Sequence, residues 1–234
     1  RYTELALRLV DQVHHTLGRH RVDDPRSGWI SGLSDSEGEH HPTRGGLRIG
    51  KALPERGPDE PFDERLEWER DGQYFHYLTR WMHALECYAR ATRNPEPHHR
   101  AVELCEAGMS FVERDPAGRP LRMAWKRSVD LDRVLVASMG QHDPLDGWIT
   151  AAELAASPFV TGEEREQLSN ANATWRALDT RRNWPTADPL GIGGVLNAAV
   201  RLLQREPSLR KIVYCLPFTS VIDQLGGIAR DILA

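Results

Sequence analysis

Residues Gln141, His142, Asp143 and Asp146 place an amide, an imidazole and two carboxylates in one short turn, which Gly140 bounds and Met139 and Trp148 flank. Two carboxylates on either side of a bond can act as proton donor and base, and a histidine titrating near neutrality can take either part. Asp143, Asp146 and His142 are therefore the catalytic candidates, with Gln141 and Trp148 as neighbours that would contact a ligand. A structural reading competes for the carboxylates. Asp143 before Pro144 suits a helix N-cap, and Asp146 follows three residues on, where the positive end of a helix favours an anion. Capping gives His142 and Gln141 no role.

A second set lies between residues 71 and 92. Tyr74, Tyr77, Leu78, Trp81, Leu85 and Tyr88 fall on one helical stripe, and His76, Arg80, His83 and Cys87 fall on another at the same spacing. A helix with two occupied faces packs on one side and lines something on the other. Asp71, Gln73, His76, Trp81 and His83 are the binding candidates, Trp81 by stacking and the histidines by hydrogen bonding. Satisfied interior histidines are the alternative for His76 and His83, and a helix cap is the alternative for Asp71. His76 and His83 stand two turns apart, about 10.5 Å along the axis, too far to share one metal ion.

No metal site is predicted. His14 and His15, His40 and His41, and His98 and His99 form no ligand set by spacing, and their settings predict surface positions for most of them. The loop Arg44 to Lys51 (RGGLRIGK) could hold an anion, although turn geometry equally explains its glycines. Lys126 and Asp130, near Trp125, are ion partners or pocket groups.

The elements that must position these residues are mostly helical. Apolar spacing predicts a first helix from Tyr2 to Leu17, ending at Gly18. Residues 19–69 lose the pattern, yet Trp29, Ile30, Leu47, Ile49, Leu53, Phe62, Leu66 and Trp68 predict an ordered segment, since burying each contributes about 1.5 to 3 kcal/mol. A helix from near Gly72 to Asn94 and another from Pro97 to about Asp115 make an antiparallel hairpin. Leu131 to Met139 is a short apolar segment. Pro144 starts a helix reaching Ala156, Thr161 and Glu164 have capping-box spacing for one reaching Leu178, and Pro189 starts a last one to Gln204. Successive helices with short links predict paired α-hairpins.

Composition narrows the classes. A hydrophobic content of 40% supports a sizeable core, and a net charge of -4 disfavours non-specific nucleic-acid binding by the whole chain. Cys87, Cys105 and Cys215 are far apart among apolar neighbours, which predicts buried thiols in a reducing compartment and no disulfide framework. No apolar stretch approaches the roughly 18 to 20 residues of a membrane span. A cytoplasmic protein that makes no membrane contact is expected. The chain opens at Arg1 in a helical pattern, so an N-terminal segment is expected to be missing. No cofactor motif is recognised, and the oligomeric state is left open.

Residues 71–92 (DGQYFHYLTRWMHALECYARAT), 122–150 (RMAWKRSVDLDRVLVASMGQHDPLDGWIT) and 186–194 (TADPLGIGG) resemble an uncharacterised bacterial and archaeal group that is similar to six-hairpin glycosidase-like proteins. The resemblance covers about residues 1–195 and implies a mainly α fold, a partial (α/α) toroid of paired helical hairpins. By analogy it implies a glycan or small sugar as partner, with Asp143 and Asp146 as the two carboxylates that glycoside hydrolysis requires. A full ring needs about twelve helices and six or seven can be read, so this domain is expected to be incomplete.

Residues 196–234 form a second, C-terminal helix-strand-helix segment. Lys211 to Phe218 (KIVYCLPF) is a solid apolar run of the kind a buried parallel strand uses. Residues 198–224 resemble a segment of the helicase core of CRISPR-associated helicase-nucleases, which implies nucleic acid as an alternative partner and Thr219 and Ser220 as phosphate contacts. No G-x-x-x-x-G-K-[ST] loop precedes it, so the chain is not expected to hydrolyse ATP alone. A non-catalytic helical scaffold is the remaining alternative.

Overall fold

In the computed structural model, the described residues are 2–137, 142–179 and 189–205. Gln141, Thr219, Ser220 and the Lys211–Phe218 run lie outside them. The chain divides into a first unit, Arg1–Arg182, and a second, Asn183–Ala234. The architecture is mainly α. Six helices form where apolar spacing places them: α1 (Tyr2–Leu17), α4 (Phe75–Thr92), α5 (Glu96–Gly108), α6 (Asp143–Ala155), α7 (Gly162–Asp179) and α8 (Pro189–Arg205). Two short helices, α2 (Asp35–His40) and α3 (Glu64–Glu69), add to the segment that carries no helical pattern. Helix α8 belongs to the second unit, and every other element belongs to the first.

The caps explain several of these boundaries. Thr161 N donates to Glu164 Oε2 at 2.8 Å while Glu164 N donates to Thr161 Oγ1 at 3.2 Å, which starts α7 reciprocally. Helix α4 ends at Arg93, whose φ of 56° turns the chain left-handed so that its N–H reaches the Ala89 carbonyl. Pro97 then sits in the first turn of α5, where it sacrifices no helical hydrogen bond.

Packing follows a stripe displaced from the aromatic one. Phe75, Leu78, Met82, Leu85 and Ala89 are the fully buried side of α4, whereas Tyr77 is 54% exposed. Phe75 at the start of α4 lies against Gly108 at the end of α5, so the two helices are antiparallel. Gly147 at the start of α6 lies against Trp175 near the end of α7, so these also form an antiparallel hairpin. Across the hairpins, Thr79 meets Asp146, His83 meets Glu153 and Arg90 meets the Ala156 carbonyl. Helices α4 and α6 therefore run parallel, the relation expected between leading helices of successive α-hairpins.

Two small antiparallel sheets were not legible in the apolar spacing. Strands β2 (Val112–Arg114) and β3 (Pro120–Met123) form a hairpin. Strands β1 (Gln73–Tyr74), β4 (Lys126–Arg127) and β5 (Val134–Val136) form a sheet in the order β1-β4-β5, with Tyr74 opposite Lys126. This sheet sets the residue before α4 beside Trp125.

Residues 19–71 are only partly anchored by apolar burial. Trp29, Ile30 and Leu47 are buried, but Leu53, Phe62, Leu66 and Trp68 stay exposed, against expectation. Buried charges do the tethering instead. Arg48 Nη1 donates to Asp71 Oδ2 at 2.9 Å, Arg56 Nε to Glu67 Oε2 at 2.9 Å, and Lys126 Nζ to Glu67 Oε1 at 2.9 Å. Helix α1 is held by a buried histidine. His14, 1% exposed, accepts a hydrogen bond at 3.0 Å from the Trp81 indole through Nε2. Burial, then the charges of Arg100 and His15, push His14 down to about 3.

Two outcomes follow from this packing. A Cβ at Gly147 would stand 2.7 Å from the Trp175 ring and 2.8 Å from the Phe75 ring, so Gly147→Ala should destabilise the fold despite the better helix propensity of alanine. The expected loss is about 1 to 3 kcal/mol, read from urea midpoints. His14 binds its proton more weakly folded than unfolded, so its contribution is complete above the ordinary histidine value of 6.5 and is lost as pH falls toward about 3. Between about pH 7 and pH 4.5, the wild type should therefore lose about 2 kcal/mol more stability than His14→Gln.

Candidate functional site

Among the described residues, polar and aromatic side chains converge where the first turns of α4 and α6 face each other. Thr79 Oγ1 lies 2.5 Å from Asp146 Oδ2, and Arg80 Nη2 lies 3.9 Å from the same oxygen. His76, one turn earlier on α4, feels His142, Asp146 and Arg80 as its charged neighbours. Burial dominates and, helped by His142 and Arg80, pushes His76 down to about 4, with Asp146 acting against them. His76 is thus neutral at pH 7, able to accept a proton or a hydrogen bond.

An aromatic wall extends from this cluster. Trp125 is stacked with His76 at a centroid distance of 6.1 Å and lies 4.4 Å from Tyr74. Tyr77 lies 4.7 Å from His76, and Trp68 meets Trp125 edge-on at 5.1 Å. The outer members are open to solvent, Trp68 at 41% and Tyr77 at 54%. Beneath them Lys126 is fully buried, its Nζ 5.4 Å from the centre of the Tyr74 ring. Burial lowers the Lys126 ammonium and raises the Tyr74 phenol, and the nearby Glu67 carboxylate acts upward on both.

The sequence candidates separate into two groups. His142, Asp146 and His76 come together. Asp143 is 2% exposed and adjoins them as the first residue of α6. The helix cap is His142 rather than Asp143, and it makes no side-chain cap bond, so the expectation of an aspartate cap gives way to burial within the first turn. Gln141 lies outside the described residues. The remaining candidates are drawn elsewhere, each by identifiable partners.

Asp71 is fully buried and accepts from Arg48, from Gly50 N at 2.9 Å and from Gly72 N at 3.0 Å. Gln73, also fully buried, accepts from Leu47 N at 2.9 Å and donates to the Gly45 and Val129 carbonyls at 2.8 and 2.7 Å. These two residues tie the segment before α4 to its surroundings, and their polar atoms are committed to protein groups. Trp81 spends its indole N–H on His14. Trp148 faces α7, with the Arg176 guanidinium 5.4 Å above its ring. His83 lies further along the seam, where Nδ1 meets Glu153 at 2.8 Å and Nε2 lies 3.7 Å from Cys87 Sγ.

Five contributors escaped the sequence candidates: Thr79, Arg80, Tyr77, Trp68 and Trp125. Tyr77 and Arg80 were visible as stripe residues. Trp68 and Trp125 are joined only by tertiary contact, which periodicity does not register. A separate cleft of about 410 Å³, lined by Ile30, Leu33, Arg44, Glu106, Asp130 and Leu131, contains Asp130 and the first residue of the Arg44–Lys51 loop but none of the catalytic or sugar-binding candidates. The glycines of the Arg44–Lys51 loop serve geometry, since a Cβ at Gly46, where φ is +80°, would stand 2.1 Å from Gln73 Oε1.

Among the described residues, two groups bring three metal-ligating side chains within reach of one another: His83, Cys87 and Glu153, and His98, His99 and Glu164. The expectation of surface histidines fails for His14 and His98, which are 1% and 0% exposed. No described helix is long and apolar enough to cross a membrane. Comparison with protein-family models, with curated proteins and with solved structures gives no match.

Proposed function

We propose that the seam between the first turns of α4 and α6 binds a sugar, and that it binds rather than hydrolyses it. The observation that carries this reading is the aromatic wall of Trp68, Trp125, His76 and Tyr77 beside the polar cluster His76, Arg80, His142 and Asp146. Sugar rings present a C–H face that packs on aromatic rings and a rim of hydroxyls that need donors and acceptors. Tyr77 and Trp68 offer the exposed faces. Neutral His76 offers an acceptor, half-buried His142 either role, and Arg80 a fixed set of donors.

Binding is favoured over hydrolysis by where the carboxylates lie. Glycoside cleavage needs two carboxyl groups in contact with the bond. Asp143 and Asp146 are each 2% exposed, and Asp146 is engaged by Thr79 and Arg80. Carboxylates so placed orient neighbouring donors rather than meet a substrate.

A glycan array probed with the full chain, followed by calorimetric titration of the retained glycan, tests this. Tyr77→Ala and His142→Ala should each weaken binding about five- to tenfold without changing the circular dichroism spectrum. Retention of no glycan, or an affinity that neither variant alters, would overturn the reading. Release of new reducing ends, abolished in Asp146→Asn, would replace binding by hydrolysis.

A further inference from the structure

We propose that His98, His99 and Glu164 form a binding site for zinc(II), with Glu86 orienting the His98 ring. This inference is independent of the sugar reading. His98 is fully buried, and its Nε2 has no hydrogen-bond partner. The nearest counter-charge is Glu164 Oε2 at 4.0 Å, beyond hydrogen-bond reach. The other ring nitrogen is committed, since Nδ1 lies 2.7 Å from Glu86 Oε2. That bond fixes the proton on Nδ1 and leaves the Nε2 lone pair facing the cluster. A buried polar atom without a partner is a destabilising cost of folding, which a bound ion would recover.

The remaining ligands are already gathered. His99 Nδ1 lies 2.6 Å from Glu164 Oε1, and the ligand atoms of all three residues lie within 4.8 Å of one another. Around a tetrahedral zinc ion with bonds of about 2.0 to 2.1 Å, donor atoms stand about 3.3 Å apart. The short His99–Glu164 contact would open slightly and the long His98–Glu164 gap would close. Glu164 keeps an oxygen on Thr161 N at 2.8 Å, which holds the carboxylate in place. The arrangement of Glu86 behind His98 is that of a carboxylate supporting a ligating imidazole. Two imidazoles and one carboxylate are a donor set suited to zinc, with a fourth position for water on the side where His99 is 38% exposed. Spacing hides the set because Glu164 lies 65 residues beyond His99.

The competing group, His83, Cys87 and Glu153, supplies the control. The full chain, stripped with a chelator, should bind one equivalent of zinc in a competition titration against a chromophoric chelator. Cobalt(II) in its place should give tetrahedral visible bands without a thiolate charge-transfer band. His99→Ala, at a partly exposed position, should weaken zinc binding at least tenfold, as should Glu86→Gln, which acts only through the orientation of His98. Cys87→Ser should leave both affinity and spectrum unchanged. No zinc uptake by the wild type, uptake indifferent to His99→Ala, or a cobalt–thiolate band lost in Cys87→Ser would each overturn the proposal.

Discussion

At Gly147, helix α6 approaches α4 and α7 without a side chain of its own. The Phe75 and Trp175 rings already occupy the space a Cβ would need, at 2.8 and 2.7 Å. Phe75 also packs against Trp175 at a centroid distance of 5.3 Å and against Phe111 at 5.6 Å, so a cluster of large rings fills the gap between α4, α6 and α7. Because α6 approaches this closely, short side chains can bridge to α4. The Thr79 hydroxyl reaches Asp146 at 2.5 Å, a span that a wider seam would leave to water or to longer residues. The same approach brings His142 close enough to act on His76 and aligns Glu153 with His83. Both the candidate site and the His83 group therefore depend on a residue that contributes no atoms to either.

The second dependence is on buried charge. Lys126 is fully buried, and its ammonium has three oxygen partners: Glu67 Oε1 at 2.9 Å and the carbonyls of Glu67 and Arg70 at 2.7 and 2.8 Å. A buried ammonium is tolerated only when its donors are satisfied in this way, and removing one partner costs several kcal/mol because the other charge is left in low dielectric. The arrangement holds α3 and its flanks against β4, directly below Tyr74 and beside Trp125. Asp71 and Gln73 do the same for the loop that reaches Leu47 and Gly50. The aromatic wall is thus mounted on paired charges and amides rather than on an apolar floor. That explains why four large apolar residues of the 19–71 segment can remain exposed while the segment stays ordered.

How far the sequence could reveal this depended on the range of the interaction. Helices α4 to α7 were legible because their causes are local: apolar residues three and four apart, Pro97 and Pro144 in first turns, and the Thr161–Glu164 box. The short strands were not, since each contains only two to four residues, too few for a period to show, and β1 owes its form to β4, far along the chain. The site was half legible. His76, His142 and Asp146 were chosen for chemistry and spacing, and they do converge. Asp71 and Gln73 were chosen for their place before a helix, but an ionisable or amide side chain at 0% exposure is defined by its tertiary partners, Arg48 and Leu47, which periodicity cannot supply. The same limit explains His98, which has the neighbours of a surface residue in sequence and those of a core residue in space.

Helix α4 joins these features because nearly every face of it is assigned. Phe75, Leu78, Met82 and Leu85 point into the core; His76, Thr79, Arg80 and His83 line the seam with α6; Trp81 holds α1 through His14; Glu86 holds α5 through His98. A single exposed aromatic on such a helix would need no explanation. Tyr77, however, stands beside His76 at 4.7 Å, and that ring in turn is stacked on Trp125, whose neighbours include the exposed Trp68. The apolar surface that Trp68 and Tyr77 leave exposed contributes little to folding where it stays wet, and its hydration is a cost that a ligand could remove. The folding interactions of α4 are complete without Tyr77, so the tyrosine belongs with the solvent-facing chemistry of the seam rather than with the packing that builds it.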